Sequence, residues 1–222
     1  MDFNASSDTF TIYENGWITK IKRPVDKIKP EKILLMLHGW TGDENSMWVF
    51  TSGLPEEYWL IALRAPLKTS FGGYEWIKTV PGQWPKLSEF KNSVDGVFNH
   101  LNYLKRYFSI PTPKVDLIGF SQGGSMTYAF AFLYPQWVQK AAVLSGFLPK
   151  VDLPINQNKV AGIKFLITHG KQDKIIPIEK AREAVNHLNQ LEVSPKYCEE
   201  DSEHKISASC YKTVQQFFTQ KE

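Results

Sequence analysis

Gly119-Phe120-Ser121-Gln122-Gly123-Gly124 is the stretch on which the reading of this chain turns. It lies between an apolar run at 115–118 and a run of helical character at 126–134. That setting makes a loose G-x-S-x-G pattern into a nucleophile elbow. The serine sits on a sharp strand-to-helix turn with its Oγ held out at the end of a sheet. The flanking glycines suit such a turn because the backbone is strained and a Cβ would crowd the neighbouring strand and helix. By itself the pattern is weak, since chance produces it in roughly one chain of this length in fifteen. The flanking elements and two features further along the chain carry the reading.

Working outward, residues 9–13 and 17–22 read as strands joined at Glu14-Asn15-Gly16, where Asn-Gly signals a hairpin. Residues 32–38 form an apolar strand that ends in a His-Gly turn, 44–54 a short helix and 59–63 a short buried strand. From 64 to 87 Gly, Pro, Trp and Tyr accumulate without a clean period, which predicts a long ordered loop of functional character. Residues 88–108 have helical spacing, with Phe90, Val94, Val97, Leu101, Leu104 and Phe108 on one face. After the elbow and its helix at 123–134 come strands at 140–144 and 163–168 and a helix at 178–191. A strand at 195–199 and a helix at 206–220 complete the series. The alternation predicts an α/β fold, with a mostly parallel sheet, an N-terminal antiparallel hairpin and helices on both faces. The 222 residues are enough for one such domain with a full core, and 1–222 is read as a single unit.

Composition narrows the function. A hydrophobic fraction of 42% and a charged fraction of 22% are those of an ordinary globular protein. A net charge of +3, with basic residues spread along the chain and no nucleic-acid motif, argues against nucleic acid as a partner. Lys20, Lys22, Arg23, Lys27 and Lys29 form a basic cluster that reads as a solvated strand edge and loop. No G-x-G-x-x-G or phosphate-loop motif supports a nucleotide-binding domain. Cys198 and Cys210 do not make a disulfide framework and read as small buried or half-buried residues. Residues 1–10 carry acids and polar groups where a signal peptide has a positive start and an apolar run. No apolar segment approaches a membrane span, and the expected location is the cytoplasm.

A serine hydroxyl is a poor nucleophile at neutral pH, so Ser121 requires a base, and histidine is the natural one. A strand-borne elbow in an alternating sheet is the arrangement of α/β-hydrolases, whose chain order is serine, acid, histidine. Of the later histidines, His187 falls inside a helix and His169 ends a strand ahead of the acid. His204 lies in the polar loop Asp201-Ser202-Glu203-His204 between the last strand and last helix, and is the expected base. Asp173 follows a strand and a glycine turn in His169-Gly170-Lys171-Gln172-Asp173. That position is the carboxyl edge of the sheet, where it would orient and stabilise the imidazole. Asp152 is its competitor, while Asp201 and Glu203 stand too close to His204 in sequence. The expected oxyanion donors are the backbone N–H of Gln122 and that of Trp40, with Thr41 behind it, in His38-Gly39-Trp40-Thr41-Gly42-Asp43. His38 reads as a locally hydrogen-bonded residue.

The chain resembles α/β-hydrolases of the phospholipase/carboxylesterase group, which includes the acyl-protein thioesterases. The resemblance rests on the His-Gly turn at 38–39, the elbow at 119–124, His-Gly-x-x-Asp at 169–173 with Pro177, and His204. It implies a compact serine esterase with no large lid domain and no metal or organic cofactor. Two departures bear on substrate class: Trp-Thr-Gly-Asp-Glu follows His38-Gly39, and Glu203 precedes His204 where many members have Gly. Phe71, Tyr74, Trp76 and Trp84 of the 64–87 loop, together with Thr41 and Phe147, are the expected pocket wall for an apolar acyl or aryl group. The expected activity is hydrolysis of carboxylic esters of short to medium acyl length, by a monomer or homodimer. A thioesterase or lysophospholipase would use the same residues, and a small-molecule sensor on the same scaffold is the reading from another class.

Overall fold

The computed structural model describes residues 8–25, 30–80 and 82–220; Lys27 and Lys29 of the basic cluster lie outside them. Strands β1 (Thr9–Glu14) and β2 (Trp17–Lys22) pair antiparallel, with Glu14 opposite Trp17. Asn15 and Gly16 turn the chain at φ 52° and 79°, the doubly left-handed backbone that an Asn-Gly hairpin supplies. There follow β3 (Lys32–Leu37), β4 (Tyr58–Leu63), and two short strands, β5 (Leu67–Lys68) and β6 (Tyr74–Glu75). Next come α1 (Leu87–Tyr107), β7 (Val115–Phe120), α2 (Gln122–Leu133), β8 (Val138–Leu144) and a single helical turn, α3 (Gln157–Val160). The chain closes with β9 (Lys164–Gly170), α4 (Ile178–Gln190), β10 (Lys196–Glu200) and α5 (Ala208–Thr219).

Eight strands form one sheet in the order β1-β2-β4-β3-β7-β8-β9-β10, parallel from β4 onward. From β3 the chain runs outward to β4 on one side and returns to β7 on the other. The carboxyl ends of β3 and β7 therefore flank a topological switch point, the crevice where ligands of such sheets bind. Strand β3 is buried on both faces: Ile33, Leu35 and Leu37 join one core cluster and Leu34 and Met36 another. The first cluster packs against α1, α2 and α4, the second against α5 and Met47. In α1 the predicted stripe is buried at Phe90, Val94, Val97, Leu101 and Leu104, while Phe108 is half-buried at the cap. Each such side chain contributes roughly 1.5–3 kcal/mol.

Three local outcomes differ from the sequence reading. Residues 44–54 hold only a 3₁₀ turn, Ser46–Phe50. The Asp43 carboxylate accepts from Asn45 N–H at 2.8 Å and Ser46 Oγ accepts from Asp43 N–H at 2.9 Å, local bonds that compete with a helix. The 64–87 loop is organised around the β5–β6 hairpin, whose turn carries Gly72 and Gly73 at φ 87° and 71°. Cys198 and Cys210 are bonded to each other, tying β10 to the first turn of α5. The spacing of 12 residues hid this pairing because it spans two elements whose adjacency only the fold reveals.

Candidate active site

Ser121 joins β7 to α2 with φ 54° and ψ −120°, a conformation that L-residues rarely adopt. The turn is this sharp because two glycines let backbones meet. A Cβ on Gly119 would stand 2.1 Å from Gly123 O, and one on Gly123 would stand 2.0 Å from Leu37 O. Ser121 N–H donates to Leu144 O at 2.8 Å, anchoring the elbow to β8. The serine keeps 9% of its surface exposed.

Asp173 and His204 come from the loops after β9 and β10. Both Asp173 oxygens are occupied. Oδ1 accepts from the N–H groups of Ile175 and Ile176, each at 2.9 Å, and Oδ2 accepts from His204 Nδ1 at 2.6 Å. A carboxylate only accepts, so Nδ1 carries the imidazole proton and Nε2 presents its lone pair. That lone pair faces Ser121 Oγ at 2.9 Å. The two loops are bound to each other by Lys171 N–H to Glu200 O at 2.8 Å and Gln172 N–H to Ser202 O at 3.0 Å. His204 also packs against Phe120, ring centroids 5.0 Å apart.

The other carboxylates stand apart from this group. Asp152 is exposed and accepts from Ser88 N–H and Oγ at 2.9 and 2.6 Å, at the start of α1, which holds its carboxyl below the usual range. Asp201 is exposed, 4.0 Å from Lys171 Nζ. His169, set aside on chain order, is buried beside the acid: its Nε2 donates to Ile176 O at 2.8 Å and lies 3.3 Å from Asp173 Oδ2. Burial depresses its pKa below the ordinary histidine value. His187 is half-buried in α4 near Phe132.

The segment 38–44 lies across the crevice from the elbow. His38 is fully buried; its Nδ1–H donates to Gly39 O at 2.7 Å and its Nε2 accepts from Ala65 N–H at 3.0 Å. Burial lowers its pKa, in keeping with a neutral ring. Thr41 has φ 64° and its hydroxyl donates to Trp40 O at 2.6 Å. The segment is laced to the aromatic loop by Tyr74 N–H to Gly42 O at 3.0 Å and Trp40 Nε1 to Glu75 Oε2 at 2.9 Å. Arg64 Nε and Nη2 donate to Glu44 at 2.6 and 2.8 Å.

The pocket-wall residues divide. Trp40 and Phe71 are exposed and meet edge to face at 5.5 Å, and Tyr74 is half-buried under the Arg64 guanidinium at 4.7 Å. Phe147 is 6% exposed and is covered by Trp84 at 5.0 Å. Trp76 has no exposed surface at all, so its expected place on the wall does not match its burial. The sequence offered no signal for that, because a tryptophan in a Gly/Pro-rich loop reads as surface.

A serine, a histidine and an aspartate in this geometry, at the carboxyl end of a parallel sheet, define the class of α/β-hydrolases. The chain belongs to the phospholipase/carboxylesterase family, whose pattern matches residues 20–221. It is similar to acyl-protein thioesterase 1 of Debaryomyces hansenii, 30% identical over 190 residues, 73% of this chain and 79% of that protein. It is also similar to carboxylesterase SOBER1 of Arabidopsis thaliana, 32% identical over 83 residues, a stretch covering 36% of each chain. That match therefore spans about a third of the plant carboxylesterase. A crystallised carboxylesterase from Mesorhizobium loti shares the fold, with a TM-score of 0.81 at 18% identity over 95% of this chain and 98% of its own.

Proposed function

We propose that the protein is a serine carboxylesterase that hydrolyses esters of short to medium acyl chains through an acyl-enzyme on Ser121. The observation that carries this reading is the continuous hydrogen-bonded line from Asp173 Oδ2 through His204 to Ser121 Oγ. Ser121 Oγ attacks the ester carbonyl carbon as His204 Nε2 takes its proton, and Asp173 stabilises the imidazolium that forms. The backbone N–H groups of Gln122 and Trp40 receive the carbonyl oxygen as it becomes negative. Collapse expels the alkoxide, which takes the proton from His204. Water, deprotonated by the same nitrogen, then releases the acid and restores Ser121.

The relatives named thioesterase favour a second substrate class for the same atoms, since a thioester differs in its leaving group and not in its carbonyl chemistry. The exposed Trp40–Phe71 pair gives an acyl or aryl group an apolar rim. Among the described residues no helix is long and apolar enough to cross a membrane. We place the protein in the cytoplasm, acting as a monomer or homodimer on a small ester.

The deciding experiment is a series of initial rates on p-nitrophenyl esters from acetyl to dodecanoyl, with Ser121→Ala beside the wild type. Rates that vanish in the variant and peak at short to medium chains support the reading. A long-chain peak transfers it to a lipid or acyl-protein substrate. Ligand binding without turnover by the wild type would favour a sensor.

A further inference from the structure

Three segments surround the place where the oxyanion would form: the elbow, the segment after β3, and the aromatic loop. They touch through very little side-chain bulk. Gly123 lies directly against the Leu37 and His38 carbonyls, with its added Cβ 2.0 and 2.5 Å from them. Three buried side chains tie the elbow and the segment after β3 to the aromatic loop. From the elbow, the Gln122 amide makes two bonds to consecutive loop residues: Oε1 accepts from Trp76 N–H at 2.7 Å and Nε2 donates to Ile77 O at 2.9 Å. From the loop, Trp76 Nε1 donates to His38 O at 2.8 Å, the carbonyl just ahead of Gly39 and Trp40. From the segment after β3, the His38 ring accepts from Ala65 N–H, donates to Gly39 O, and packs on Trp76 at 5.2 Å between centroids. Ser93 Oγ donates to the remaining Trp76 polar group, its carbonyl, at 2.5 Å. Trp76 therefore has all its hydrogen-bonding groups engaged while lying wholly inside the protein.

We infer that His38, Trp76 and Gln122 form a bracket that sets the separation of the Gln122 and Trp40 N–H groups around the developing oxyanion. The inference rests on the ester hydrolysis proposed above. Each oxyanion donor belongs to a different segment, so their spacing depends on how the segments are joined. Donors that are fixed beforehand stabilise the transition state without reorganising during the reaction, and a shift of about an ångström costs on the order of 100-fold. Trp76 and the Gln122 side chain are positioning residues: they touch the segments that carry the donors. They are also chemically particular. Only a group with one acceptor and one donor can satisfy Trp76 N–H and Ile77 O together, and glutamine provides both.

The test begins with a fluorophosphonate probe and mass mapping of the wild type, which reads the Ser121 nucleophile alone. No adduct on Ser121 overturns the esterase reading and the inference with it. Given an adduct, Trp76→Phe and Gln122→Glu are compared with wild type for kcat, KM, thermal midpoint and affinity for a trifluoromethyl ketone that mimics the tetrahedral intermediate. The bracket predicts kcat lower by about 10- to 100-fold, KM within about twofold, and ketone affinity reduced by the same factor as kcat. Gln122→Glu adds a signature that a mere loss of stability would not give. Its carboxylate repels Ile77 O, whereas its protonated form can donate to that carbonyl again. Burial raises a carboxyl's pKa, so the ratio of variant to wild-type rate should rise as pH falls from 8 to 5. A lowered thermal midpoint with unchanged ketone affinity, or a deficit independent of pH, would overturn the inference.

Discussion

His204 Nε2 stands 2.9 Å from Ser121 Oγ although 83 residues separate the two in the chain. The contact is made by two loops at one edge of the sheet and is oriented from behind by Asp173. The atoms act as a unit, so their losses should not add. Ser121→Ala and His204→Ala should each lower kcat by about 10⁴- to 10⁶-fold on a p-nitrophenyl ester, and the double variant by little more. Near-additive losses in steady-state kinetics would contradict the assignment.

The elbow stores strain at the nucleophile itself. Ser121 occupies φ 54°, ψ −120°, where a side chain costs on the order of 1–3 kcal/mol and glycine almost nothing. Ser121→Gly should therefore abolish turnover yet raise the unfolding free energy by about 1 kcal/mol in urea titration. A destabilised glycine variant would show that the hydroxyl's bonds outweigh the strain.

Acid should weaken the fold through His100. This histidine is buried in α1, hydrogen-bonded at Nε2 to Thr19 Oγ1 at 2.9 Å and stacked on Trp17, and burial lowers its pKa to about 4. In the unfolded chain it titrates near 6.5, as histidine ordinarily does. Below that pH the unfolded state binds a proton that the folded state refuses. The stabilisation is complete above about pH 6.5 and is lost as pH falls towards 4. His100→Gln, whose side chain does not titrate, should show a flatter fall of thermal midpoint between those pH values. Parallel curves for the two proteins would exclude His100 as the cause.

The Cys198–Cys210 bond brackets the loop that presents His204. Closing a loop of this length restricts the unfolded chain by about 3 kcal/mol. Dithiothreitol, or the double replacement by serine, should lower the thermal midpoint by roughly 5–10 °C. Activity at 25 °C should fall much less, because the Lys171–Glu200 and Gln172–Ser202 backbone bonds hold the same loop independently. Equal midpoints with and without reductant would show that the bond adds nothing.

Most of the sheet and the Ser121–Asp173–His204 group could be read from the chain because they rest on local signals. Asn15-Gly16 dictates a hairpin, apolar runs bounded by turns dictate parallel strands, and Gly-x-Ser-x-Gly after such a run dictates an elbow. Chain order then separated His204 from His169. What escaped depends on tertiary context. The inward course of Trp76 is set by acceptors on Gln122 and His38, which are 46 and 38 residues away. Cys198 and Cys210 meet because β10 lies beneath α5, a relation no spacing expresses. The 3₁₀ turn at Ser46–Phe50 was hidden because Asp43 and Ser46 bond the backbone in a region whose composition also suits a helix.

The strand order has a consequence in time. Ser121 follows a central strand, whereas His204 lies on the loop after the outermost one, β10. At about 5–20 residues per second, roughly 4 to 17 seconds of synthesis separate the making of Ser121 from that of His204. Throughout that interval the nascent chain holds a hydroxyl with no base to activate it. On the ester hydrolysis proposed above, competence would follow only once the last parallel strand has docked, and a half-made chain would leave nearby esters intact.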